Sequence, residues 1–530
     1  MGLAGIDYAI IAVYVVALIT IATLVSRQAP GDKRDTEDYF LAGKALPWWA
    51  IGASLIAANI SAEQVIGMSG SGYAIGLGIA SYEWMAAITL IIVGKYFLPI
   101  FLEKRIYTMP QFLEQRYNGA VRSVMAVFWL GVFTFINLAS ILWLGSLTIN
   151  TMTGLDLTLG LVALAAFAAL YSLYGGLKAV ALTDIIQVAM LIAGGLLISY
   201  LSLNAVSDGK GAIAGFAQLM EAAPQKFDMI LSRDNPNHQF LPGLSVLLGG
   251  MWIMNLSYWG FNQYIIQRAL GAKNLREAQK GIVFAAFLKL LVPLLVVFPG
   301  IAAFILAPDL DRADQAYPTM MSLAPTGIRG LIFAALIAAI VSSLGSMMNS
   351  IATIFTIDLY KAARPATSEK TLVFIGRSAA LSALIIAVVA AQPLLGEAEQ
   401  AFQWLQEFTG FFTPGVVTLF FLGMFWKRAT AAGAFAAAIG SAVYSLIFKL
   451  DLTANIGLQL ALDTMPFMNR VGWVFVLCMA TAIIVSLAQG AKVQEKAVHH
   501  ERIDFKTGPG FNIAAAIITA ILIGLYWYWW

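Results

Sequence analysis

Several apolar segments of this chain carry polar side chains where a membrane-crossing helix needs none. The clearest is 57–73, AANISAEQVIGMSGSGY, and a second is 254–263, MNLSYWGFNQ. A charged side chain at the middle of a bilayer costs at least ~2.5 kcal/mol, so polar residues there are candidates for function. Hydroxyls, amides and backbone carbonyls released at a break in a helix are the groups that bind a hard cation or a hydroxylated solute.

Across all the apolar segments, such residues occur only in the central part of the chain. They are Asn59, Glu63, Gln64, Glu83, Asn137, Asp184, Asn255, Asn262, Lys289, Ser342, Ser343, Gln406 and Glu407. In the stretch AAIVSS, Ala339 precedes the two serines by three and four residues, so its carbonyl shares a helix face with both hydroxyls. This pattern suits a cation, although small residues also allow close helix packing.

The composition is that of an integral membrane protein. Of the 530 residues, 60% are hydrophobic and only 12% are charged, and the mean hydropathy is +0.80. The net charge of +3 gives no indication of a nucleic-acid partner. A lone cysteine, Cys478, excludes a disulfide framework, and the three histidines lie outside the apolar segments, which excludes a histidine metal site within the membrane.

The apolar segments predict about 14 transmembrane helices, the first a retained helix within 1–30. Most of the 32 Lys and Arg residues fall in alternate loops. The positive-inside rule then predicts that both termini face away from the cytoplasm, and that the long 204–241 loop does too.

The two interrupted spans are the second and the seventh, and this spacing predicts an inverted repeat. Because five is an odd number of spans, a second copy of a five-helix unit has the inverted orientation in the membrane. Transporters built from inverted repeats have this arrangement, and the first helix of each repeat is broken near the midplane. We therefore expect an all-α membrane protein with a 5+5 inverted-repeat core. The predicted units are 1–30, repeat one at 46–203, an extracytoplasmic loop at 204–241, repeat two at 242–426, and three peripheral helices at 427–530.

Particular motifs resemble those of the sodium:solute symporter family. They include FLAGK, SYEWM, GKYFLPIF, LYGGLKAV, WGFNQYIIQRAL, AAIVSSLGSMMNS and FQWLQEFTG, and they follow one another in order from about residue 38 to the last helix. Within the family they are most similar to the sodium/glucose cotransporter branch and its bacterial sodium/galactose type. The resemblance implies a leucine-transporter-type core that works by alternating access.

The resemblance also implies roles for individual residues. The implied sodium ligands are Ala57, Ile60, Ala339, Ser342 and Ser343. The implied solute contacts are Gln64, Glu83, Asn255, Lys289 and Gln406, with Tyr258 as an inner gate supported by Asn59. The implied outer gate is Met68, Tyr82 and Phe402, and Asp184 lies on the implied sodium exit path. One position departs, because Ala86 stands where the galactose type has a sugar-contacting serine, which leaves the choice of hexose open.

The predicted function is sodium-coupled import of a small neutral hexose across a bacterial-type inner (plasma) membrane. Sodium is the coupling ion, the lipid bilayer is the surrounding partner, and no obligate protein partner is indicated. One alternative keeps the fold but carries myo-inositol, an amino acid or sialic acid; another is a passive uniporter or channel. An enzyme is not expected, because no pairing of a nucleophile with a base and no metal cluster emerges from the sequence.

Overall fold

The chain is almost entirely helical in the part that the structure describes. A computed structural model describes residues 2–26, 46–451, 462–490 and 492–530, without the side chains of 18, 19, 21–26, 171–184 and 463. The main helices are α1 (Gly5–Ser26), α2 (Trp48–Asn59), α3 (Glu63–Ala74), α4 (Leu77–Glu103), α5 (Met109–Arg116), α6 (Gly119–Thr153), α7 (Leu157–Val206), α8 (Ala212–Ala222), α9 (Gly250–Leu256), α10 (Gln263–Leu270), α11 (Leu275–Leu306), α12 (Ala316–Met321), α13 (Ile328–Ala363), α14 (Glu369–Leu395), α15 (Ala401–Thr409), α16 (Thr413–Phe425), α17 (Ala431–Lys449), α18 (Phe467–Ala488) and α19 (Pro509–Tyr528). Shorter turns of helix are Pro224–Lys226, Pro236–Gln239, Ser245–Leu248, Ala313–Gln315, Leu462–Thr464 and His500–Arg502, and a π-turn covers Ser257–Phe261.

The prediction of a multi-pass, all-helical membrane protein is confirmed. Within the described ranges, nine helices are long and apolar enough to cross a bilayer, or eleven if each of two bent pairs counts as one span. The number of 14 spans stays a prediction. Two of the predicted spans, near 157 and 179, fall in the single helix α7, which runs for 50 residues. The sequence 157–206 contains no proline, a residue that would remove a backbone hydrogen bond from the helix.

Both helix interruptions predicted from the polar motifs are present. The helices α2 and α3 meet at an angle of 62° across residues 60–62. The second interruption lies at Asn262, which takes an extended conformation (φ −82°, ψ 124°) between the π-turn and α10. A third bend, of 46° between α15 and α16, was not predicted from the sequence. It coincides with Pro414 near the start of α16, where a proline fits without loss of a hydrogen bond.

The broken helix is held against α11 by a close helix crossing. An added Cβ on Gly281 of α11 would lie 2.8 Å from the Cβ of Ile51, and one on Gly52 of α2 would lie 2.6 Å from the ring of Phe284. Glycine at both positions therefore lets the two backbones approach. On its other side α2 packs against α7 and α13. The end of α2, where the break begins, is thus flanked by α11, α7 and α13.

Candidate solute and ion site

A small cavity lies beside the break between α2 and α3. Its lining residues are Asn59, Gln64, Tyr82, Glu83, Met254, Asn255, Tyr258, Trp259, Phe402 and Gln406. Eight of these ten had been predicted from the sequence, and Met254 and Trp259 had not. The space open to the centre of a water molecule is about 50 Å³, which is room for roughly three to five waters. The break, the start of α4, the α9 segment and α15 thus converge on one polar chamber.

A buried ion pair closes one wall of this cavity. The Lys289 ammonium, on α11, donates hydrogen bonds to the Glu83 carboxylate and to the Asn59 side-chain carbonyl. It also lies 4.8 Å from the ring centre of Trp259, a distance at which a cation is attracted to the ring face. Lys289 is fully buried and Glu83 is 3% exposed. The pair therefore leaves the wall without net charge, and Lys289 itself stands behind the lining residues.

Asn59 and two tyrosines form a second wall. The Asn59 amide donates to the Tyr258 hydroxyl at 3.0 Å, and the Tyr264 hydroxyl donates to the same oxygen at 2.6 Å. Tyr258 belongs to the π-turn before the second interruption, so its ring is carried by irregular backbone. Asn59 thereby contacts both Tyr258 and Lys289, and it ends α2.

Two aromatic rings line the cavity on the side of α15. The rings of Tyr82 and Phe402 meet edge to face with their centres 5.1 Å apart. Met68 is fully buried on α3. An added Cβ on Gly67 would lie 3.1 Å from the Phe402 Cβ, so α3 and α15 are in tight contact here. Of the three residues predicted as an outer gate, Tyr82 and Phe402 line this end of the cavity, which we call its closed end, and Met68 lies beside it on α3, next to Gly67.

The amide side chains of the cavity retain hydrogen-bonding capacity. Gln64 accepts a hydrogen bond from the Ser61 hydroxyl at 3.4 Å, and Asn255 donates one to the Met251 carbonyl at 3.2 Å. The described contacts thus use one end of each amide and leave the other for a further partner. Gln406 lines the cavity from α15. Ala86, the position that departs from the galactose type, is buried on α4 and does not line the cavity.

The five predicted sodium ligands lie on two helices that pack together, α2 with the break after it and α13. At the end of α2 the Ser61 N–H bonds the Asn59 carbonyl at 2.8 Å, and Ile60 leaves the helical conformation with ψ at 87°. A regular helix would direct the Ser61 N–H to Ala57, so the break diverts that donor from the Ala57 carbonyl. The opposing positions, Ala339, Ser342 and Ser343, are all buried on α13.

The Ser343 hydroxyl is buried without a hydrogen-bond partner in the described part of the chain. Buried hydroxyls are normally hydrogen-bonded, so an orphaned one points to an absent partner. Oxygen atoms of backbone carbonyls and hydroxyls are the ligands that a hard cation prefers, and the residues present therefore fit a sodium ion. The Asp184 side chain, predicted on the sodium exit path, lies outside the described side chains.

Arg268 is a buried polar residue that the sequence scan missed. Its guanidinium donates to the Ser54 hydroxyl at 3.2 Å, to the Ser346 hydroxyl at 2.7 Å and to the Tyr264 carbonyl. It thereby ties α10 to α2 and α13 within one helical turn of the predicted sodium ligands. The scan missed it because it stands at the edge of an apolar segment, where an arginine is common.

Three other scanned residues make contacts within the protein. Glu63 lies next to the Asn137 side chain of α6. Glu407 forms ion pairs with Lys449 at 2.5 Å and Arg470 at 2.6 Å, which join α15 to α17 and α18. Glu63, Asn137 and Glu407 do not line the cavity.

The chain is similar to known transporters over nearly its whole length. The model of the sodium:solute symporter family matches residues 39–440. A sodium/glucose cotransporter of Vibrio parahaemolyticus is 49% identical over 99% of both chains. A sodium/myo-inositol cotransporter 2 of Oryctolagus cuniculus is 36% identical over 76% of this chain and 64% of that relative.

Solved structures share the fold. An outward-open, substrate-bound sodium-coupled sialic acid symporter superposes with a TM-score of 0.77 at 23% identity, over 92% of this chain and 98% of that one. The closed form of Mhp1, a nucleobase-cation-symport-1 transporter, gives a TM-score of 0.56 at 11% identity, over 87% and 98% of the two chains. The family match and the extent of the 49% identity place this membrane protein among the transporters: it belongs to the sodium:solute symporter family.

Proposed function

We propose that this symporter imports a small neutral hexose of the galactose or glucose type together with sodium. The observation that carries the proposal is the neutral polar cavity, in which Lys289 is paired with Glu83 beside the amides of Gln64, Asn255 and Gln406. A sugar has hydroxyls on every side, so it needs several uncharged donors and acceptors and an apolar ring face to rest on. Tyr258 and Trp259 supply aromatic surface in the same cavity.

The ion pair argues against a charged solute. An amino acid or sialic acid carries a carboxylate, and burying that charge requires a cation or a helix N-terminus directed at it. The ammonium of Lys289 is already engaged by Glu83 and Asn59, and drawing it away would leave the Glu83 carboxylate buried without a partner. A neutral polyol avoids that cost. Myo-inositol is the second candidate, supported by the 36% identical relative that is named for it.

Sodium supplies the driving force for uphill transport. We propose that it binds between the carbonyls of Ala57, Ile60 and Ala339 and the hydroxyls of Ser342 and Ser343. One sodium ion crossing 100 mV gains ~2.3 kcal/mol, and a tenfold concentration gradient adds ~1.4 kcal/mol. Together these concentrate a neutral solute several-hundredfold. Sodium binding favours the outward-open state, and the solute then allows closure around it.

We further propose the finer architecture that the sequence predicts. The two helix interruptions support repeats at 46–203 and 242–426, flanked by the first helix, the 204–241 loop and the C-terminal helices of 427–530. We also propose that the protein lies in a bacterial-type inner membrane with both termini outside, as the distribution of Lys and Arg predicts. The site roles of Met68, Tyr82 and Phe402 as an outer gate, and of Asp184 on the ion exit path, belong to this proposal.

Uptake into proteoliposomes tests the function. Vesicles with an inward sodium gradient receive labelled galactose, glucose, myo-inositol, sialic acid or an amino acid, and a potassium gradient replaces sodium in the control. We expect uphill uptake of a hexose with sodium only. Equal hexose uptake in both gradients would refute sodium coupling, whereas uptake of a carboxylated solute alone would refute the assignment of the cavity.

Calorimetry on a single amide tests the solute contacts. A hydrogen bond to a neutral partner is worth ~0.5–1.5 kcal/mol, so Gln64→Ala should weaken hexose binding by about 2- to 13-fold. Gln218→Ala provides the matched control, because Gln218 is exposed on α8, away from the cavity. Wild-type affinity in Gln64→Ala would contradict the proposed site.

A further inference from the structure

A cluster of polar contacts joins three elements next to the closed end of the cavity. The Asp314 carboxylate accepts a hydrogen bond at 3.0 Å from the N–H of Ala401, the first residue of α15. That helix carries Phe402, which closes the cavity, and Gln406, which lines it. Asp314 lies in the short turn Ala313–Gln315, between the membrane-spanning helices α11 and α13. We call Asp314, its neighbour Arg312 and the pair Ser71–Gln400 the clasp.

The Asp314 carboxyl is packed against α3 as closely as against α15. Asp314 is 1% exposed, and its second oxygen, Oδ1, has no hydrogen-bond partner in the described part of the chain. An added Cβ on Gly70 of α3 would lie 2.6 Å from that oxygen and 2.9 Å from the Ala313 carbonyl oxygen. Only a glycine allows α3 to approach so closely. The turn at Asp314 is therefore wedged between the two helices that close the cavity.

The other members of the clasp hold the same elements together. The Arg312 guanidinium donates to the carbonyls of Gly396 and Ala398, in the segment that leads into α15. It also lies 5.7 Å from the ring centre of Trp143 on α6. The Ser71 hydroxyl of α3 donates to the Gln400 side chain at 3.1 Å. Opening the cavity between α3 and α15 requires these contacts to break.

We propose that Asp314 is a positioning residue of the gate: as a neutral carboxylic acid it holds the start of α15 against α3, and loss of its proton releases them. The unpartnered Oδ1 is the oxygen that carries the proton, and Oδ2 continues to accept the Ala401 N–H. The inference rests on the proposed function only in taking Phe402 as a gate. It assigns a pH-dependent step to a residue that touches neither solute nor sodium.

The electrostatics of the closed state support this assignment. Burial raises the pKa of Asp314 to about 7, against the lowering effects of the Ala401 N–H and of the Arg312 charge. The titratable groups on the elements packed around Asp314 are Tyr73, Tyr317, Glu63 and, on α15, Glu407, while Glu397 and Glu399 are exposed in the segment that leads into α15. Arg312 is the charged group that acts on the carboxyl.

The direction of the pH effect follows from linkage. A hydrated carboxyl in the open state has its ordinary pKa near 3.8, so the closed state binds the proton more tightly. The closed state is then favoured below pH 7 and loses this advantage as the pH rises. Between pH 6 and pH 8 the ratio of closed to open molecules should fall by about tenfold.

Cysteine labelling of the gate tests the proposal. Cys478 is the single native cysteine, so a Cys478→Ser background carries a reporter, Met68→Cys, at the closed end of the cavity. Intact cells are treated with a membrane-impermeant maleimide at pH 6 and pH 8 without solute. Each rate is divided by that of the detergent-unfolded protein at the same pH, which removes the titration of the thiol itself. We expect the rate to rise about tenfold from pH 6 to pH 8.

Variants of Asp314 separate charge from shape. Asp314→Asn mimics the protonated form and should give slow labelling at both pH values. Asp314→Ala removes the contact to Ala401 and should give fast labelling at both. Asp309→Asn is the matched control, because Asp309 is an exposed carboxylate of the same loop, and it should retain the full pH response.

Two results would overturn the proposal: a pH response that persists in Asp314→Asn, or slow labelling of Asp314→Ala at both pH values. If Asp314→Ala does not fold, Arg312→Gln takes its place, because it loses the hydrogen bonds to Gly396 and Ala398. This variant should be labelled faster than the parent protein at pH 6. An unchanged labelling rate would also overturn the proposal. The assay uses no solute and no uptake. Failure of the hexose assignment therefore leaves these outcomes readable, and failure of the clasp leaves the uptake assay unaffected.

Discussion

Removal of the buried ammonium is the most direct perturbation of the cavity. In Lys289→Met the side-chain volume is nearly kept, while Glu83 and Asn59 lose their shared donor and Trp259 loses a cation on its ring. Breaking a buried ion pair by removing one partner costs ~3–5 kcal/mol, because a charge is left buried without compensation. Glu83→Gln in the same chain removes that stranded charge. We therefore expect the double variant to recover much of the stability that Lys289→Met loses.

Denaturant unfolding of the purified protein in detergent measures this effect. The matched control is Lys280→Met, on the same helix, whose side chain is 61% exposed and pairs with Glu277 at 3.3 Å. An exposed ion pair contributes ~0–1 kcal/mol, so this control should remain close to the wild type. The reasoning is refuted if Lys289→Met costs no more than Lys280→Met. It is equally refuted if the losses from Lys289→Met and Glu83→Gln simply add in the double variant, since additivity means that the two groups do not interact.

The ion site, the aromatic wall and one helix crossing each give a further test. Ser343→Ala should abolish the stimulation of solute uptake by sodium in proteoliposomes. The control Ser378→Ala, which removes an exposed hydroxyl of α14, should preserve that stimulation. An unaltered sodium response in Ser343→Ala would contradict the ion assignment. Tyr258→Phe removes the hydroxyl that accepts two hydrogen bonds, each worth ~1 kcal/mol. The solute Kd measured by calorimetry should therefore rise several-fold. An unchanged Kd would show that this wall of the cavity is not coupled to solute binding. Gly281→Ala should lower the free energy of unfolding by ~1–3 kcal/mol through overpacking. Gly131→Ala should not, because its added Cβ meets no atom of the described residues within 4 Å, and equal stabilities of the two variants would count against the close crossing.

The breaks in α2–α3 and α9–α10 could be predicted because polar residues stand in otherwise apolar sequence. The motif around Asn59 places amides and hydroxyls where lipid-facing helices have none, and the structure breaks there by 62°. The bend between α15 and α16 has no such polar signal, because the residues around it, Gly410 to Thr413, are a glycine, two phenylalanines and a threonine, followed by Pro414. Polar residues in an apolar segment indicate a break that binds something polar. A proline there can also stand inside a continuous helix, as Pro293 and Pro299 do in α11, so this bend could not be predicted from Pro414 alone.

The same distinction explains which cavity residues were missed. The polar residues of the cavity could be predicted because placing a polar side chain in an apolar segment costs free energy. The predictions for Tyr82, Tyr258 and Phe402 came from the resemblance to the family. Met254 and Trp259 line the same cavity, but an apolar residue in an apolar segment looks like any other core residue. The pairing of Lys289 with Glu83 also needed the structure, since the two residues are 206 positions apart in the chain.

The geometry suggests how ion and solute communicate if both assignments hold. Asn59 is the last residue of α2, between Ala57 and Ile60, whose carbonyls are the proposed sodium ligands. Its side chain contacts Lys289 and Tyr258, both part of the solute side. An ion that fixes the two carbonyls therefore fixes the backbone from which the Asn59 amide projects. Coupling then needs no long pathway, because one residue belongs to both sites, and any change that loosens the end of α2 should weaken sodium and solute binding together.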